Sequence, residues 1–233
     1  MLPAMREIVF DTETTGLNPL GGDRLIEIGC AELHNHIATG ETFHAFINPE
    51  RTVPAEAVEI HGHDDAFLGD KPVFAAIVDG FLDFIGDSPL VAHNAAFDRG
   101  FINMELRRTE RPEYPDERFV DTLVLARRRH PAGPNSLDAL CARYRIDNSA
   151  RTKHGALLDA EILAEVYVEL LGGRQADLGL SQTADAAALA VSNTTTAQRP
   201  APLPSRPSEA DGQVHQAFVK DLGKKALWLK YSS

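Results

Sequence analysis

Residues 6–16 have the sequence REIVFDTETTG, and this stretch decides the fold prediction. Arg6–Phe10 predicts a short strand that ends in Asp11. Because side chains alternate along a strand, Asp11 and Glu13 face the same way. Two neighbouring carboxylates repel each other unless a cation lies between them, and such oxygen ligands suit Mg²⁺ or Mn²⁺. An isolated pair of acids at a strand end is usually only solvated. The Thr-Thr-Gly that begins at Thr14 makes this segment more specific. It favours a nucleotide site, because backbone and hydroxyl groups beside the acids could hold a nucleotide.

The rest of the first 173 residues alternates between extended and helical patterns. Further strands are predicted at Leu25–Leu33, Glu41–Ile47, Leu90–Ala92 and Phe119–Asp121, with Asn35 and Gly40 marking the turn between the first two. Helices are predicted at Ala55–His61, around residues 73–84, and at Ala96–Arg107, Leu137–Tyr144 and Leu157–Leu171. Pro54 marks the start of the first and Ser136 the N-cap of the fourth. The last helix carries an apolar stripe of Leu158, Ile162, Val166 and Leu170. Three early strands followed by helices with strands between them predict an α/β fold, a mixed β-sheet flanked by helices.

Two later segments each place an acid beside a helix start. Asp98 lies in the first turn of a helix just after the strand Leu90–Ala92, where α/β folds build sites. Asp159 lies in the first turn of the last helix, on a largely apolar surface, where an acid is either paired or bound to a cation. His154 precedes that helix. Taken singly, these residues have ordinary explanations, a dipole-compensating acid and a loop histidine. Together with Asp11 and Glu13 they form the set that a two-metal phosphodiesterase needs.

Composition limits the class of protein. The chain has 233 residues, 43% of them hydrophobic, and a formal net charge of −11. A broad basic surface for gripping nucleic acid is therefore excluded, and any nucleic-acid substrate must be held by a local site, metals or a partner. No apolar run approaches the ~18 residues of a membrane span, so no membrane association is expected. Cys30 and Cys141 are predicted to be buried free thiols, which fits a cytoplasmic location.

The chain is predicted to have three parts. Residues 1–173 form the catalytic domain. Residues 174–213 are rich in Ala, Ser, Thr, Gln and Pro and have no face that could bury a core, so they predict a flexible, disordered linker. Residues 214–233 regain apolar side chains, including Phe218 and Trp228, and predict a short C-terminal docking segment for another protein. A tail that folds back on the domain is the alternative.

The three acidic segments, in this order and spacing, resemble the Exo I, Exo II and Exo III motifs of the DEDD exonuclease superfamily, in its histidine-containing branch. Residues 5–173 are similar over their full length to the family of proofreading epsilon subunits of bacterial DNA polymerase III. The run from Asn135 to Cys141 and the run from Arg151 to Ala160 are especially close. The resemblance implies a ribonuclease-H-like fold and a 3′→5′ exonuclease that removes mispaired nucleotides from the single-stranded 3′ end of DNA.

The resemblance also implies the roles of individual residues. Two divalent ions, Mg²⁺ or Mn²⁺, would be held by four carboxylates, with His154 as the general base. The terminal nucleotide would be contacted by Glu56 and His61, in the segment between the first two motifs. The metal ligands implied are Asp11, Glu13, Asp98 and Asp159, and the substrate-binding set implied is Asp11, Glu13, Thr14, Glu56, His61 and Asp159.

Two partners besides DNA are implied. The run from Lys225 to Trp228 is similar to the family's tail that binds the polymerase (alpha) subunit, so residues 214–233 are implied as the segment that binds this partner. Gln182 lies where the family often carries a sliding-clamp peptide, but the residues after it lack the bulky apolar side chains of such a peptide. At most a weak clamp contact is therefore predicted near Gln182.

Two alternatives stay open at the level of sequence. An RNA-trimming exonuclease of the same superfamily would share the site chemistry, although it would need neither linker nor anchor. A non-catalytic subunit that stabilises the polymerase would show a degraded set of site residues, and in this chain all five are present.

Overall fold

The computed structural model describes residues 5–151, 153–172 and 208–222. The chain divides into two units, residues 1–177 and 178–233. The strands and seven of the described helices belong to the first unit, and one helix belongs to the second. None of the helices in the described ranges combines the length and the apolar character that crossing a membrane requires.

The first unit contains one five-stranded mixed sheet. Its strands in sheet order are β3, β2, β1, β4 and β5. β1 pairs antiparallel with β2 and parallel with β4, β2 pairs antiparallel with β3, and β4 pairs parallel with β5. The strand bounds are β1 Arg6–Thr14, β2 Leu25–His34, β3 Ile37–Phe46, β4 Leu90–Ala92 and β5 Phe119–Asp121.

Seven helices accompany the sheet within the described residues of the first unit. Five of them were predicted, in this order, and the second and the fifth were not. Two short 3₁₀ turns lie at Pro19–Gly21 and Asp116–Arg118. The helices are α1 Ala55–His61, α2 Asp65–Leu68, α3 Phe74–Ile85, α4 Ala95–Arg108, α5 Thr122–Arg129, α6 Leu137–Tyr144 and α7 Ala156–Leu170. The predicted fold class, a mixed sheet flanked by helices, is confirmed.

Alternation along β1 sends its side chains to two different cores. Ile8 and Phe10 pack with α3 and α4, in a core that includes Phe81 and Phe101. Val9 points the other way and packs with Leu163 and other residues of α7. Asp11 and Glu13 share the parity of Val9, so β1 presents both carboxylates on the face that α7 covers.

Gly29 allows α7 to cross the sheet beside the acids. It pairs with Asp11 in the register of β1 and β2. A Cβ at Gly29 would lie 2.1 Å from the backbone nitrogen of Leu157. Only a residue without a side chain lets the start of α7 approach β2 this closely. This contact brings the first turn of α7, and Asp159 with it, to the level of Asp11.

α7 is buried on two sides. The predicted apolar stripe of this helix packs against α5 and α6, through Ile162, Val166 and Leu170, with Leu158 partly buried beside them. Leu163 and Tyr167 on another side pack against the sheet. The sequence predicted the first of these faces and not the second.

Two strand predictions need correction. β1 does not end at Asp11 but continues to Thr14, because β2 pairs with it as far as Leu25. The turn after β2 is formed by Asn35 and His36, both with positive φ, and β3 begins at Ile37 rather than Glu41. Gly40, with φ +89°, lies inside β3 near an irregularity in its pairing with β2, which explains why it resembled a turn residue.

The second unit contains helix α8, Glu209–Asp221. Ser208 caps it, and Asp211 completes the capping box by accepting from the Ser208 backbone N–H. Residues 209–213, predicted to belong to the flexible linker, are therefore helical, and this part of the linker prediction is corrected. The remainder of the predicted linker up to residue 207, and residues 223–233, lie outside the described residues.

Candidate active site

Side chains from β1 and from the start of α7 meet above the sheet. Glu13, His154 and Asp159 each have a ligand atom within 4.8 Å of the others. Glu13 and Asp159 are buried, whereas the His154 side chain is half exposed. A hydrogen bond of 3.4 Å from the His154 backbone N–H to the Ile60 carbonyl joins this loop to α1. Two of the three predicted acidic segments and the predicted histidine therefore lie together.

The third segment reaches the cluster from the opposite face of the sheet. Asp98 lies in the first turn of α4, which packs on the face opposite α7, and only 2% of it is exposed. Thr12, between the two acids of β1, donates from Oγ1 to Asp98 Oδ1 at 2.7 Å. Alternation on β1 thus explains the convergence, because Asp11 and Glu13 point to one face while Thr12 anchors Asp98 from the other.

Burial and mutual repulsion shift the pKa values of the carboxylates in the cluster. Burial raises the pKa of Asp11 well above its usual range, and the neighbouring carboxylates, led by Asp98, raise it further. Burial, followed by repulsion from Glu27 and then from other acids, raises the pKa of Glu13 to about 8. Burial raises the pKa of Asp98 to about 7, although the hydrogen bond from Thr12 opposes the shift. A concentration of positive charge among these oxygens would relieve this repulsion. The donors therefore fit hard divalent cations.

Arg151 supplies positive charge to the same cluster. Its guanidinium binds both oxygens of Asp159, with Nε 2.5 Å from Oδ1 and Nη2 2.7 Å from Oδ2. Nη1 donates to Asp138 at 2.7 Å. Although burial opposes it, pairing with Asp159 raises the pKa of Arg151 above its usual range. The expectation that Asp159 is either paired or bound to a cation is met by pairing with Arg151.

The same guanidinium also constrains His154. Arg151 Nη2 lies 2.8 Å from His154 Nδ1. Guanidinium nitrogens can only donate, so Nδ1 accepts and a neutral ring carries its proton on Nε2. In this conformation neither ring nitrogen offers a free lone pair to a water molecule. His154 can act as a base only after Arg151 releases Nδ1 or the ring turns.

The residues predicted to contact the nucleotide differ in their burial and in their contacts with the acidic cluster. Thr14 is buried at the end of β1, and its hydroxyl donates to the Gly16 carbonyl at 2.6 Å. His61, at the end of α1, is buried and next to Ile60, the acceptor for the His154 loop. Glu56 is exposed in the first turn of α1. Within the described ranges, no hydrogen bond or ion pair links Glu56 to the acidic cluster.

Four residues that sequence reasoning did not single out contribute to the site. Thr12 holds Asp98, and Arg151 holds Asp159. Gly29 admits α7, and Glu27 lies directly opposite Glu13 in the β1–β2 register. The only local signal was the position of Thr12 between two acids on a strand. The other three depend on which segments the fold brings together.

Comparison with known proteins identifies the family. Residues 8–167 match the model of the RNase_T exonuclease family. The chain is 44% identical over 229 residues to the DNA polymerase III subunit epsilon of Rickettsia felis, covering 97% of this chain and all of that protein. It is 51% identical over 176 residues to the subunit epsilon of Escherichia coli K12, covering 72% of each chain. The chain belongs to the DNA polymerase III epsilon subunit family.

Solved structures agree with this assignment. Exonuclease X, in complex with 5′-overhanging duplex DNA, is 27% identical with a TM-score of 0.55, covering 72% of this chain and 90% of that one. The nuclease domain of 3′hExo, a DEDDh family member bound to rAMP, is 16% identical with a TM-score of 0.63, covering 73% and 93%. This second likeness shows the fold alone. The predictions of an epsilon-type 3′→5′ exonuclease and of its ribonuclease-H-like fold are confirmed.

Proposed function

We propose that this epsilon-family exonuclease removes mispaired nucleotides from DNA primer ends by two-metal hydrolysis, using Asp11, Glu13, Asp98, His154 and Asp159. One observation carries the proposal: acids from three distant segments lie close enough for each to raise the pKa of Asp11 and Glu13. Ligand atoms of Glu13, His154 and Asp159 lie within 4.8 Å of one another, and burial and charge raise the pKa values of Asp11 and Asp98 beside them. A complete set of this kind argues against a non-catalytic role.

The metal ligands proposed are Asp11, Glu13, Asp98 and Asp159. Two divalent ions, Mg²⁺ or Mn²⁺, would supply activation of the attacking water and stabilisation of the leaving 3′ oxygen. The protein's contribution is to hold the acids in place before substrate arrives. β1 fixes Asp11 and Glu13, Thr12 fixes Asp98, and Arg151 fixes Asp159.

His154 is proposed as the general base. It stands in a loop before α7 and is half exposed, so its ring can turn toward solvent. Release of Nδ1 by Arg151 gives the neutral ring a lone pair that can take a proton from the attacking water. Arg151 keeps a second partner in Asp138, which can retain the guanidinium when His154 leaves it.

The substrate proposed is a single-stranded 3′ end. Thr14, Glu56 and His61 are proposed to hold the terminal nucleotide, together with the metal-binding acids. A mismatched end unpairs more readily than a matched one, so selection for errors requires no reading of bases. With a net charge of −11, the chain is proposed to depend on a partner to bring DNA to it.

That partner is proposed to be the polymerase (alpha) subunit, bound through residues 214–233. Helix α8 supports this assignment, because Val214, Phe218 and Leu222 recur every four residues and are all exposed. Such a stripe is typical of a helix that docks in an apolar groove. The proposed weak clamp contact at Gln182 lies outside the described residues. A cytoplasmic location stays a prediction.

The test is degradation of a 3′-mismatched DNA primer, with and without the polymerase subunit, in Mg²⁺ and in Mn²⁺. We expect release of 5′-mononucleotides from the mismatched end, faster with the partner present, because tethering raises the local concentration of that end. Asp11→Asn with Glu13→Gln is the inactive control. A matched RNA oligomer tests the RNA-trimming alternative, and faster degradation of RNA than of DNA would contradict the proposal.

A further inference from the structure

His61 has an unpartnered polar atom in a buried position. It is 4% exposed, and its Nε2 has no hydrogen-bond partner within the part of the chain that the structure describes. Its Nδ1 accepts from the backbone N–H of His63 at 3.0 Å. Since burial lowers the pKa of His61 to about 4, the ring is neutral near pH 7 and carries one proton. With Nδ1 used as an acceptor, that proton lies on Nε2, which is a donor with no acceptor.

We propose that Glu27, acting through His63, positions His61 so that its Nε2–H donates to a phosphate oxygen of the terminal nucleotide. The proposal rests on the proposed function, which places His61 at that nucleotide. Glu27 and His63 would not touch the substrate and are positioning residues.

Glu27 is held firmly beside the acidic cluster. It lies opposite Glu13 on β2, and its side chain is 3% exposed. Oε1 lies 2.7 Å from His44 Nε2, and Oε2 lies 3.2 Å from His63 Nε2. Both oxygens are therefore used, one toward the edge strand β3 and one toward the segment after α1.

His63 contacts His61 through its backbone N–H and through its ring. Its ring stacks on the His61 ring with centroids 5.3 Å apart and an interplanar angle of 19°. Phe67 stacks against His63 at 5.0 Å, and the edge of Phe46 packs on it at the same distance. Because rings and a hydrogen bond to Glu27 fix His63 on several sides, its backbone N–H stays in line with His61 Nδ1.

The backbone between the two histidines serves the same arrangement. Gly62 has φ +86°, a left-handed conformation that ends α1 and turns the chain so that His63 N–H reaches back to His61. A Cβ at Gly62 would lie 3.0 Å from Lys153 Cδ, so the Lys153 side chain packs across this glycine. Both Glu27 and Lys153 act on His61, and the positive charge of Lys153 offsets the negative charge of Glu27. A phosphate oxygen is therefore inferred as the acceptor for the Nε2–H.

The position of Glu27 is costly unless it has a role. Glu27 and Glu13 are both buried and lie directly opposite each other in the register of β1 and β2, so their carboxylates repel each other. An apolar side chain at this position would avoid the repulsion and satisfy the sheet equally well. The hydrogen bond between Glu27 and His63 connects this carboxylate to His61, the proposed nucleotide contact.

The test compares four variants for hydrolysis of a single-stranded DNA oligomer in saturating Mn²⁺. His63→Phe keeps a ring in the stack but removes the bond to Glu27, and Glu27→Gln keeps the shape of the side chain. We expect His61→Ala and His63→Phe each to raise KM about tenfold while kcat changes less than about twofold, since a binding contact is lost. The amide oxygen of Glu27→Gln can still accept from His63, so the KM of this variant should rise less than that of His63→Phe. His44→Phe is the matched control, because His44 hydrogen-bonds the other oxygen of Glu27 and neither histidine of the pair; its KM should stay within about twofold.

A second measurement does not depend on activity. Nitrogen–proton NMR correlation of the imidazoles should show His61 as the Nε2–H tautomer in the unchanged protein, and a mixture of tautomers in His63→Phe. A His61 proton on Nδ1 in the unchanged protein would overturn the inference. So would a raised KM for His61→Ala with an unchanged KM for His63→Phe, and in that case the proposed function would stand. An unchanged KM for His61→Ala would remove His61 from the proposed substrate contacts and overturn the inference, whereas the proposed hydrolysis at the acidic cluster would fail only if Asp11→Asn with Glu13→Gln stayed active.

Discussion

Arg151 binds both carboxylate oxygens of Asp159, eight residues further along the chain, while its Nη2 also lies 2.8 Å from His154 Nδ1. One guanidinium thus holds a proposed metal ligand and the proposed base. Arg151 and Asp159 are both largely buried, with side-chain exposures of 9% and 3%. Breaking a buried pair leaves a charge without a partner, which is strongly destabilising.

We therefore expect Arg151→Gln to lower the stability of the metal-free domain by about 3 kcal/mol, because Asp159 loses its counter-charge. Chemical denaturation in the presence of a chelator measures this. Asp138→Asn is the matched control: it removes another contact of the same guanidinium, but Asp138 is mostly exposed, so a loss under ~1 kcal/mol is expected. Equal losses in the two variants would contradict the assignment of Arg151 to Asp159.

The raised pKa values of the cluster predict a pH dependence. Glu13 has an ordinary pKa of 4.5 and a folded-state pKa of about 8, and Asp98 has 3.8 and about 7. Between these values the folded state binds more protons than the unfolded state, so the stability of the metal-free domain falls as pH rises. Tm in chelator should therefore decrease from about pH 5 to about pH 8. Glu13→Gln should flatten the decrease, and added Mn²⁺ should reverse it. A Tm that rises over this range in chelator would refute burial and mutual repulsion of the carboxylates as the cause.

Gly29→Ala tests the close approach of α7 to β2. The added Cβ would lie 2.1 Å from the Leu157 backbone nitrogen, which no side-chain rotation can relieve. We expect α7 to shift, with a loss of about 3 kcal/mol in stability and a loss of kcat of about tenfold or more, because Asp159 moves with the helix. Gly80→Ala in α3 is the control. A Cβ at Gly80 would lie 3.8 Å from Phe43 Cε2, which is an ordinary contact. The free energy of unfolding should therefore stay within about 1 kcal/mol of that of the unchanged protein. Unimpaired hydrolysis by Gly29→Ala would show that the approach is not needed.

Helix α8 is predicted to bind the polymerase subunit without contributing to hydrolysis. Replacing Val214 and Phe218 with Asp puts charges into its apolar stripe. We expect co-purification with the polymerase subunit to be lost, while hydrolysis of free single strands stays within about twofold. Lys220→Gln, on the same helix but outside the stripe, is the control for general changes in charge. Retained co-purification after the double change would favour a docking site formed by other residues.

Local pattern was sufficient for much of the fold. Neighbouring residues alone predict the alternation in β1, the helix starts at Ser136 and Pro54, and the apolar stripe of α7. The structure confirms all of these features. The errors lie at ends and turns and in two helices, α2 and α5, that were not predicted. Gly40 was predicted as a turn residue because glycine adopts a left-handed φ in strand irregularities as well as in loops. β1 extends beyond Asp11 because its pairing with β2 continues to Thr14. Both outcomes depend on a partner strand, which local pattern does not contain.

The sequence by itself determined which residue types could hold a metal and activate water, because Asp11, Glu13, Asp98, His154 and Asp159 recur in motifs whose spacing fixes their place at a strand end or helix start. Only the tertiary structure decided that Arg151 neutralises Asp159, that Gly29 admits α7, and that Glu27 stands opposite Glu13 and is bound to His63. These contacts follow from strand register and helix packing. A register or a packing distance is set by the whole core at once, so no short stretch of sequence carries it.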